Sequence, residues 1–245
     1  MQSLKEKVSI ITVATFRFNC QFVNLTTLTG ASSGIGRATA QHFAAFGAFL
    51  SLWGRDEQSL NDTKRMCIEK GLPESKVLCC KADVTKNSEV KTALDATLKR
   101  FGKLDILINS AGIILNGSLR NTPLEEFDRI MTVNVRSIIH LTQLCIPYLI
   151  QSKGTIVNVS STASSCAYPG VAYYCISKAA LDQFTKCLAL DLAPEERAKE
   201  LHPLGRVGEV DEVAAAISFL ASSNSSFITG ELLKVDAGRA LVSPR

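Results

Sequence analysis

Tyr174 and Lys178 stand four residues apart in a run, 172–192, whose apolar pattern is helical. Four residues make about one helical turn, so both side chains leave the same face. A lysine ammonium beside a phenol stabilises the phenolate and draws its pKa toward neutrality. A tyrosine tuned in this way can give a proton to an alkoxide as it forms, as when a carbonyl accepts a hydride. The neighbouring tyrosines lack such a partner. Four residues beyond Tyr173 lies Ser177, and four beyond Tyr168 lies Ala172. A second chemistry-bearing stretch, TGASSGIG at 29–36, sets three glycines in a turn that opens a helix. Gly30 permits a tight turn, Gly34 lets backbone approach a phosphate, and Gly36 lets the helix pack closely on a sheet. Backbone N–H groups at the start of that helix would face a pyrophosphate.

Such groups need rigid elements to hold them. Short runs rich in Val, Ile and Leu occur at 7–12, 48–53, 76–83, 104–110, 154–161 and 232–236. They are apolar on both faces, as buried parallel strands are. Between them, helical patterns occupy 35–46, 57–70, 88–101, 124–150, 172–192 and 209–221, several of them ended by glycine. Alternating strands and helices predict an α/β fold, a doubly wound parallel sheet of the Rossmann type, as one domain over 1–245. Ligands then bind at the carboxyl ends of the strands, where the motifs fall.

Composition narrows the partners. The 245 residues carry a net charge of +4, and the excess is dispersed along the chain. This argues against nucleic acid. No stretch is long and apolar enough to span a bilayer, and no secretory leader is evident, so a cytoplasmic protein is expected. The sequon at Asn24 is then a chance match. Eight cysteines contain no C-x-x-C, and Cys79 and Cys80 are adjacent. No zinc site or disulfide framework follows, and most are expected as buried free thiols. His42, His140 and His202 read as structural or solvated, and the run 194–200 as a solvated helix face.

The ordered set TGASSGIG, Asp83-Val84, NSAG (109–112), Asn134, VNVSS and YYCISK resembles the short-chain dehydrogenase/reductases (SDRs). The resemblance covers about 1–12 and 30–194, then resumes at 203–214 and 225–238. It implies hydride transfer between a nicotinamide cofactor and a small carbonyl or alcohol. Tyr174 is then the acid/base, and the oxidised nicotinamide adds its charge to that of Lys178 in stabilising phenolate. Lys178 also binds the nicotinamide ribose, Ser161 bonds the substrate oxygen and Asn134 holds a water in a proton relay. Ser160 faces the other side of its strand. Gly30, Ser32, Ser33, Gly34, Ile35 and Gly36 would hold the pyrophosphate. Asp83 and Val84 would flank adenine, while Asn109, Ala111 and Gly112 would line the adenosine side. Arg55, at the end of the second strand, can pair with a 2′-phosphate where an acidic residue would repel one. NADP(H) is therefore favoured, with NAD(H) as the alternative. If Arg55 is merely a solvated side chain, that preference falls. The long helices 124–150 and 172–192 resemble the family's subunit-packing pair and imply a homodimer or homotetramer.

Two departures from the pattern stand out. Joining Thr12 to Gly30 gives an uninterrupted match, KVSIITGASSGIG, so 13–29 reads as a 17-residue insertion. It opens with Val, whose codons begin GT, which suggests a retained short intron. Residues 22–29 could instead replace KVSIIT as the first strand, at the cost of burying Asn24 and several threonine hydroxyls. After Pro194 the family continues with a further strand, a Pro-Gly turn and a substrate-covering loop. No PG follows Lys178, and about 25–35 residues would be missing by family spacing and domain size. A chain so altered could also be a catalytically impaired isoform that binds only cofactor or sister subunits.

Overall fold

The computed structural model describes residues 25–192 together with Leu204, 233–235 and Gly238. Two compact units divide the chain, 1–182 and 183–245. The whole sheet lies in the first. KVSIIT and the helix expected at 209–221 lie outside the described residues.

Five strands form one parallel sheet: β1 (Leu25–Thr29), β2 (Phe49–Gly54), β3 (Val77–Lys81), β4 (Ile106–Asn109) and β5 (Thr155–Asn158). Helices α1 (Gly34–Ala45), α2 (Glu57–Glu69) and α3 (Asn87–Phe101) follow the first three strands. After β4 come α4 (Leu124–Met131) and α5 (Ser137–Ser152), and after β5 comes α6 (Ala172–Asp191). The strand order is β3-β2-β1-β4-β5. It reverses direction between β1 and β4, which opens a crevice at the carboxyl ends of those two strands. Register brings the ends level: Thr29 pairs with both Trp53 and Asn109, and Asn109 pairs with Asn158.

Leu28, Leu50, Leu52 and Ile108 from the sheet pack with Ala40, Ala44, Leu60 and Cys67 from α1 and α2. This apolar layer fixes the helix that follows the glycine loop. Asp56 caps α2 by accepting from the Ser59 amide at 2.6 Å, as its place before the helix leads one to expect.

The first strand is LTTLT, the segment alternative to KVSIIT. All five of its residues are buried. Thr29 is fully used: its Oγ1 accepts from the amides of Ser110 (3.1 Å) and Ala111 (3.2 Å) and ties β1 to the turn after β4. Thr26 and Thr27 are different, because their buried Oγ1 atoms have no partner among the described residues. An unsatisfied buried hydroxyl costs roughly 1–3 kcal/mol. Thr27→Val keeps the shape and removes the orphan, so it should stabilise the chain by about 1 kcal/mol. Thr29→Val should do the reverse by freeing two amides. Urea midpoints at unchanged m-value would read both effects.

Three expectations need correction. The segment 124–150 is not one regular helix: residues Thr132–Arg136 form a π-helical turn between α4 and α5. The strand expected at 232–236 is not seen where it is described, since residues 233–235 are exposed and outside any strand. Finally, the cysteines are less buried than expected. Cys67, Cys80 and Cys145 are buried, but Cys166 and Cys187 are exposed and Cys79 and Cys175 are intermediate.

Candidate active site

The glycine loop leaves β1 directly. Gly30 has φ +67° and sits so close to the next turn that a Cβ would meet the Ala111 amide nitrogen at 2.9 Å. Gly34, at φ +52°, has open space where a side chain would be. A Cβ on Gly36 would strike the Gly30 carbonyl, which is why α1 can cross so near the turn. Ser33 occupies the N-cap position of α1 but makes no side-chain cap bond, so the first-turn amides remain turned toward the crevice. Arg37 is not free to serve a ligand. Its guanidinium donates to the Ser32 carbonyl, to Thr63 Oγ1 at 3.0 Å and to the Ser59 carbonyl at 3.4 Å.

The crevice has a volume of about 600 Å³. Gly30, Ser32, Ser33, Gly34, Ile35, Gly36, Arg55, Asp83, Val84, Ala111 and Gly112 line it. Asn109 does not. It is 1% exposed, and its side-chain amide donates to Asn158 at 2.8 Å and toward Thr142 at 3.4 Å behind the strand ends. Alternation along β4 turns it away from the crevice and exposes the next backbone instead. Sequence reasoning missed Asp128, Arg129, Thr132 and Val133, which also line the space. They lie within about two turns before Asn134, which was the available signal.

Arg55 is exposed and lies near enough to Asp83 to act on its charge. Burial pushes the Asp83 carboxyl up, but hydrogen bonds from Thr85 and the charges of Arg55 and Lys86 outweigh it and hold the group below its usual value. Thr85 donates to Asp83 Oδ1 from its amide at 2.9 Å and its hydroxyl at 2.8 Å.

Four polar side chains gather beside the crevice, all nearly buried: Asn134, Ser161, Tyr174 and Lys178. Asn134 sits on the π-helical turn, a feature that often marks functional sites. Its Oδ1 accepts from the Ile113 amide at 2.8 Å, and its Nδ2 donates to the Ile113 carbonyl (2.9 Å) and Ser177 Oγ (3.0 Å). A Cβ on Gly112 would lie 3.3 Å from Asn134 Oδ1 and 3.8 Å from Lys178 Nζ, so that glycine gives both groups their room. Lys178 Nζ donates to the Val159 carbonyl at 2.7 Å and lies 5.7 Å from the Tyr174 ring centre. Ser161 hydrogen-bonds Tyr174, whereas Ser160 Oγ is buried and has no partner among the described residues. Tyr173 is engaged elsewhere, donating to the Thr122 carbonyl at 3.1 Å. His42 stacks edge-on against Phe46, and His140 Nε2 is buried with no partner among the described residues; neither is among the residues that line the crevice.

Lys178 alone does not draw Tyr174 toward neutrality. Burial raises Tyr174 above the ordinary phenol value, and the hydrogen bond from Ser161 only partly offsets this. Burial also draws Lys178 down to about 8, with Asp182 opposing, so it still carries its charge at neutral pH while its Nζ donates to the Val159 carbonyl. In the unfolded chain a lysine titrates near 10.4. Between about 8 and that value the unfolded state binds more protons, so stability rises with pH across this window. Below it the buried ammonium costs its full amount. Lys178→Met should therefore be more stable than the parent near neutral pH by about 1–2 kcal/mol after the lost Val159 bond, with the gap closing above roughly pH 10. Urea midpoints across that pH range would test the sign.

A family model described as short chain dehydrogenase matches residues 24–199, and a second, described as enoyl-(acyl carrier protein) reductase, matches 195–240. The chain belongs to the short-chain dehydrogenase family, as a Rossmann-type oxidoreductase. The first match begins at residue 24, so it takes in LTTLT and not KVSIIT. Among similar proteins, the 3-oxoacyl-[acyl-carrier-protein] reductase FabG of Thermotoga maritima is 34% identical over 237 residues, covering 86% of this chain and 95% of that protein. The 2-(R)-hydroxypropyl-CoM dehydrogenase of Xanthobacter autotrophicus is 35% identical over 240 residues, covering 85% and 95%. Glucose dehydrogenase of Caenorhabditis elegans in its apo form superposes with a TM-score of 0.66 at 36% identity, covering 91% of this chain and all of that one. The 3-ketoacyl-(acyl-carrier-protein) reductase from Brucella melitensis complexed with NADH gives 0.65 at 31%, covering 89% and 98%.

Proposed function

We propose that the chain interconverts a small carbonyl compound and its alcohol with NADP(H), using Tyr174, Lys178, Ser161 and Asn134. The observation that carries this reading is the clustering of those four nearly buried side chains beside a crevice floored by the glycine loop. The residues fit a dinucleotide: the uncapped start of α1 suits a pyrophosphate, and Arg55 suits a 2′-phosphate. The nicotinamide would supply or take up the hydride. Tyr174, held protonated at neutral pH, donates to the carbonyl oxygen as negative charge grows on it. Ser161 orients that oxygen by a second hydrogen bond. Lys178 places positive charge beside the resulting phenolate, and Asn134 positions the backbone at Ile113 for resupply of the proton through water. A small carbonyl or alcohol as substrate, a homodimer or homotetramer, and a cytoplasmic location belong to the same reading. Exposed Ile150 on α5 and Ile176 on α6 offer apolar surface for a second subunit, and the seven described cysteines are all free thiols.

The test is NADPH-linked reduction of 2,3-butanedione followed against pH. Turnover should hold steady below about 8 and fall above it, where Lys178 loses its proton. No dependence on pH through that range would count against the assignment. A second reading rests on a specific observation: no Pro-Gly turn follows Lys178. On that reading the chain binds NADPH, or a sister subunit, without consuming it. NADPH binding with no turnover on any carbonyl would favour it.

A further inference from the structure

The stretch from Ser161 through the first turn of α6 contains two thiols that the proposed reaction does not use. Cys175 follows Tyr174 on the first turn of α6 and packs beside Tyr174, Ala163 and Val171. Its Sγ points at the backbone carbonyl of Cys166, 3.9 Å away. Bond lengths alone then keep the Cys166 Cα within about 6.3 Å of that sulfur. Cys166 is exposed and Cys175 half-buried, so a small reagent has access to the first and the first to the second. Cys166 closes the short turn that begins at Ser161, its amide donating to the Thr162 carbonyl at 2.8 Å.

We propose that Cys166 and Cys175 are a modification site, a dithiol that closes to an intramolecular disulfide by exchange with a small-molecule disulfide. The thiolate of Cys166 attacks one sulfur of the reagent, forms a mixed disulfide and expels one thiol. The thiolate of Cys175 then attacks the Cys166 sulfur and expels the second thiol. The protein loses two S–H bonds and gains one S–S bond, while the reagent is reduced to two thiols. Of the pair, Cys166 is the exposed member and so the entry point. Cys67 and Cys145, by contrast, are held as neutral thiols by burial, pushed up to about 11 and about 12. The ring so closed contains Tyr168, Pro169, Gly170 and Tyr174. It joins the turn that begins at Ser161 to the helix turn that carries Tyr174. Forming the bond takes the Cys175 sulfur off the Cys166 carbonyl and draws the loop toward α6. Displacing a reacting group by about 1 Å can cost 10²-fold in rate, so oxidation should lower turnover by at least about tenfold. This consequence, unlike the bond itself, rests on the proposed roles of Ser161 and Tyr174.

The full-length chain would be equilibrated with glutathione and its disulfide, the remaining thiols alkylated, and the peptides mapped. Both cysteines fall in one tryptic peptide, 154–178. The expected product is that peptide lighter by two hydrogens and carrying no alkyl group, absent in Cys166→Ser and in Cys175→Ser. A persistent glutathione adduct on Cys166 with Cys175 still alkylated, or full alkylation at every redox ratio, would overturn the site. Turnover of oxidised parent should drop and recover with dithiothreitol, while Cys166→Ser stays unaffected. A bond that forms with no change in turnover overturns the coupling. If the reduced chain shows no turnover at all, the functional reading fails, and the peptide map still decides the bond.

Discussion

Tyr174→Phe should lower NADPH-linked carbonyl reduction by about 10²–10⁴-fold, the range for removing a positioned general acid. The loss should fall on kcat, because the phenol hydroxyl acts when charge has built up on the substrate oxygen. NADPH affinity should change little, since the glycine loop and Arg55 lie on a different wall of the crevice. Stability should also hold. The ring still fills its place against Ala163, Val171 and Cys175, and only the Ser161 bond is lost. Tyr173→Phe is the control. It removes a bond to the Thr122 carbonyl on the far side of the helix and should leave kcat within about threefold, as expected for one peripheral neutral hydrogen bond.

Arg55→Ala should change the cofactor and not the chemistry. A charge-assisted contact to a 2′-phosphate is worth roughly 1.5–3 kcal/mol, which converts to about a 10- to 150-fold rise in the KM for NADPH. The neighbour sharpens the effect. Arg55 offsets the Asp83 carboxylate, which is held ionised in the same crevice. Without Arg55 a 2′-phosphate would face that negative charge alone, whereas the 2′-hydroxyl of NADH would not. The KM for NADH should therefore stay level or fall. A parallel rise for both cofactors would place Arg55 at the shared phosphates instead, and no change for either would make it a solvated side chain.

Much of this was legible in the sequence, and the exceptions have physical causes. The glycine loop and the Tyr174–Lys178 pair were read from spacing, which fixes direction on a turn or helix, while Asp83 came from the family resemblance and Arg55 from its place at a strand end; the loop, Asp83 and Arg55 line the crevice. The choice of first strand was harder. KVSIIT is the better buried strand by composition, yet LTTLT occupies the centre of the sheet. The strand that feeds the loop must end beside the turn after β4, and Thr29 does this through two amide contacts. The orphan hydroxyls of Thr26 and Thr27 are the cost foreseen for that segment. The π-helical turn at Thr132–Arg136 escaped notice because valines continue through it, at Val133 and Val135, and no Gly or Pro marks it. Asn109 was placed in the crevice by motif, although alternation along β4 turns its side chain inward. The proton affinity of Tyr174 was misjudged for a different reason. Spacing gives the distance to a lysine, but not the burial that raises the phenol itself.

Stoichiometry decides whether this chain carries out the reaction or only holds a cofactor. NADPH consumed and alcohol formed from 2,3-butanedione would be measured together for the full-length chain and for Tyr174→Phe. The expected result is one alcohol formed per NADPH consumed for the parent, and both signals lost in the variant. Saturable NADPH binding by the parent with neither signal would contradict it.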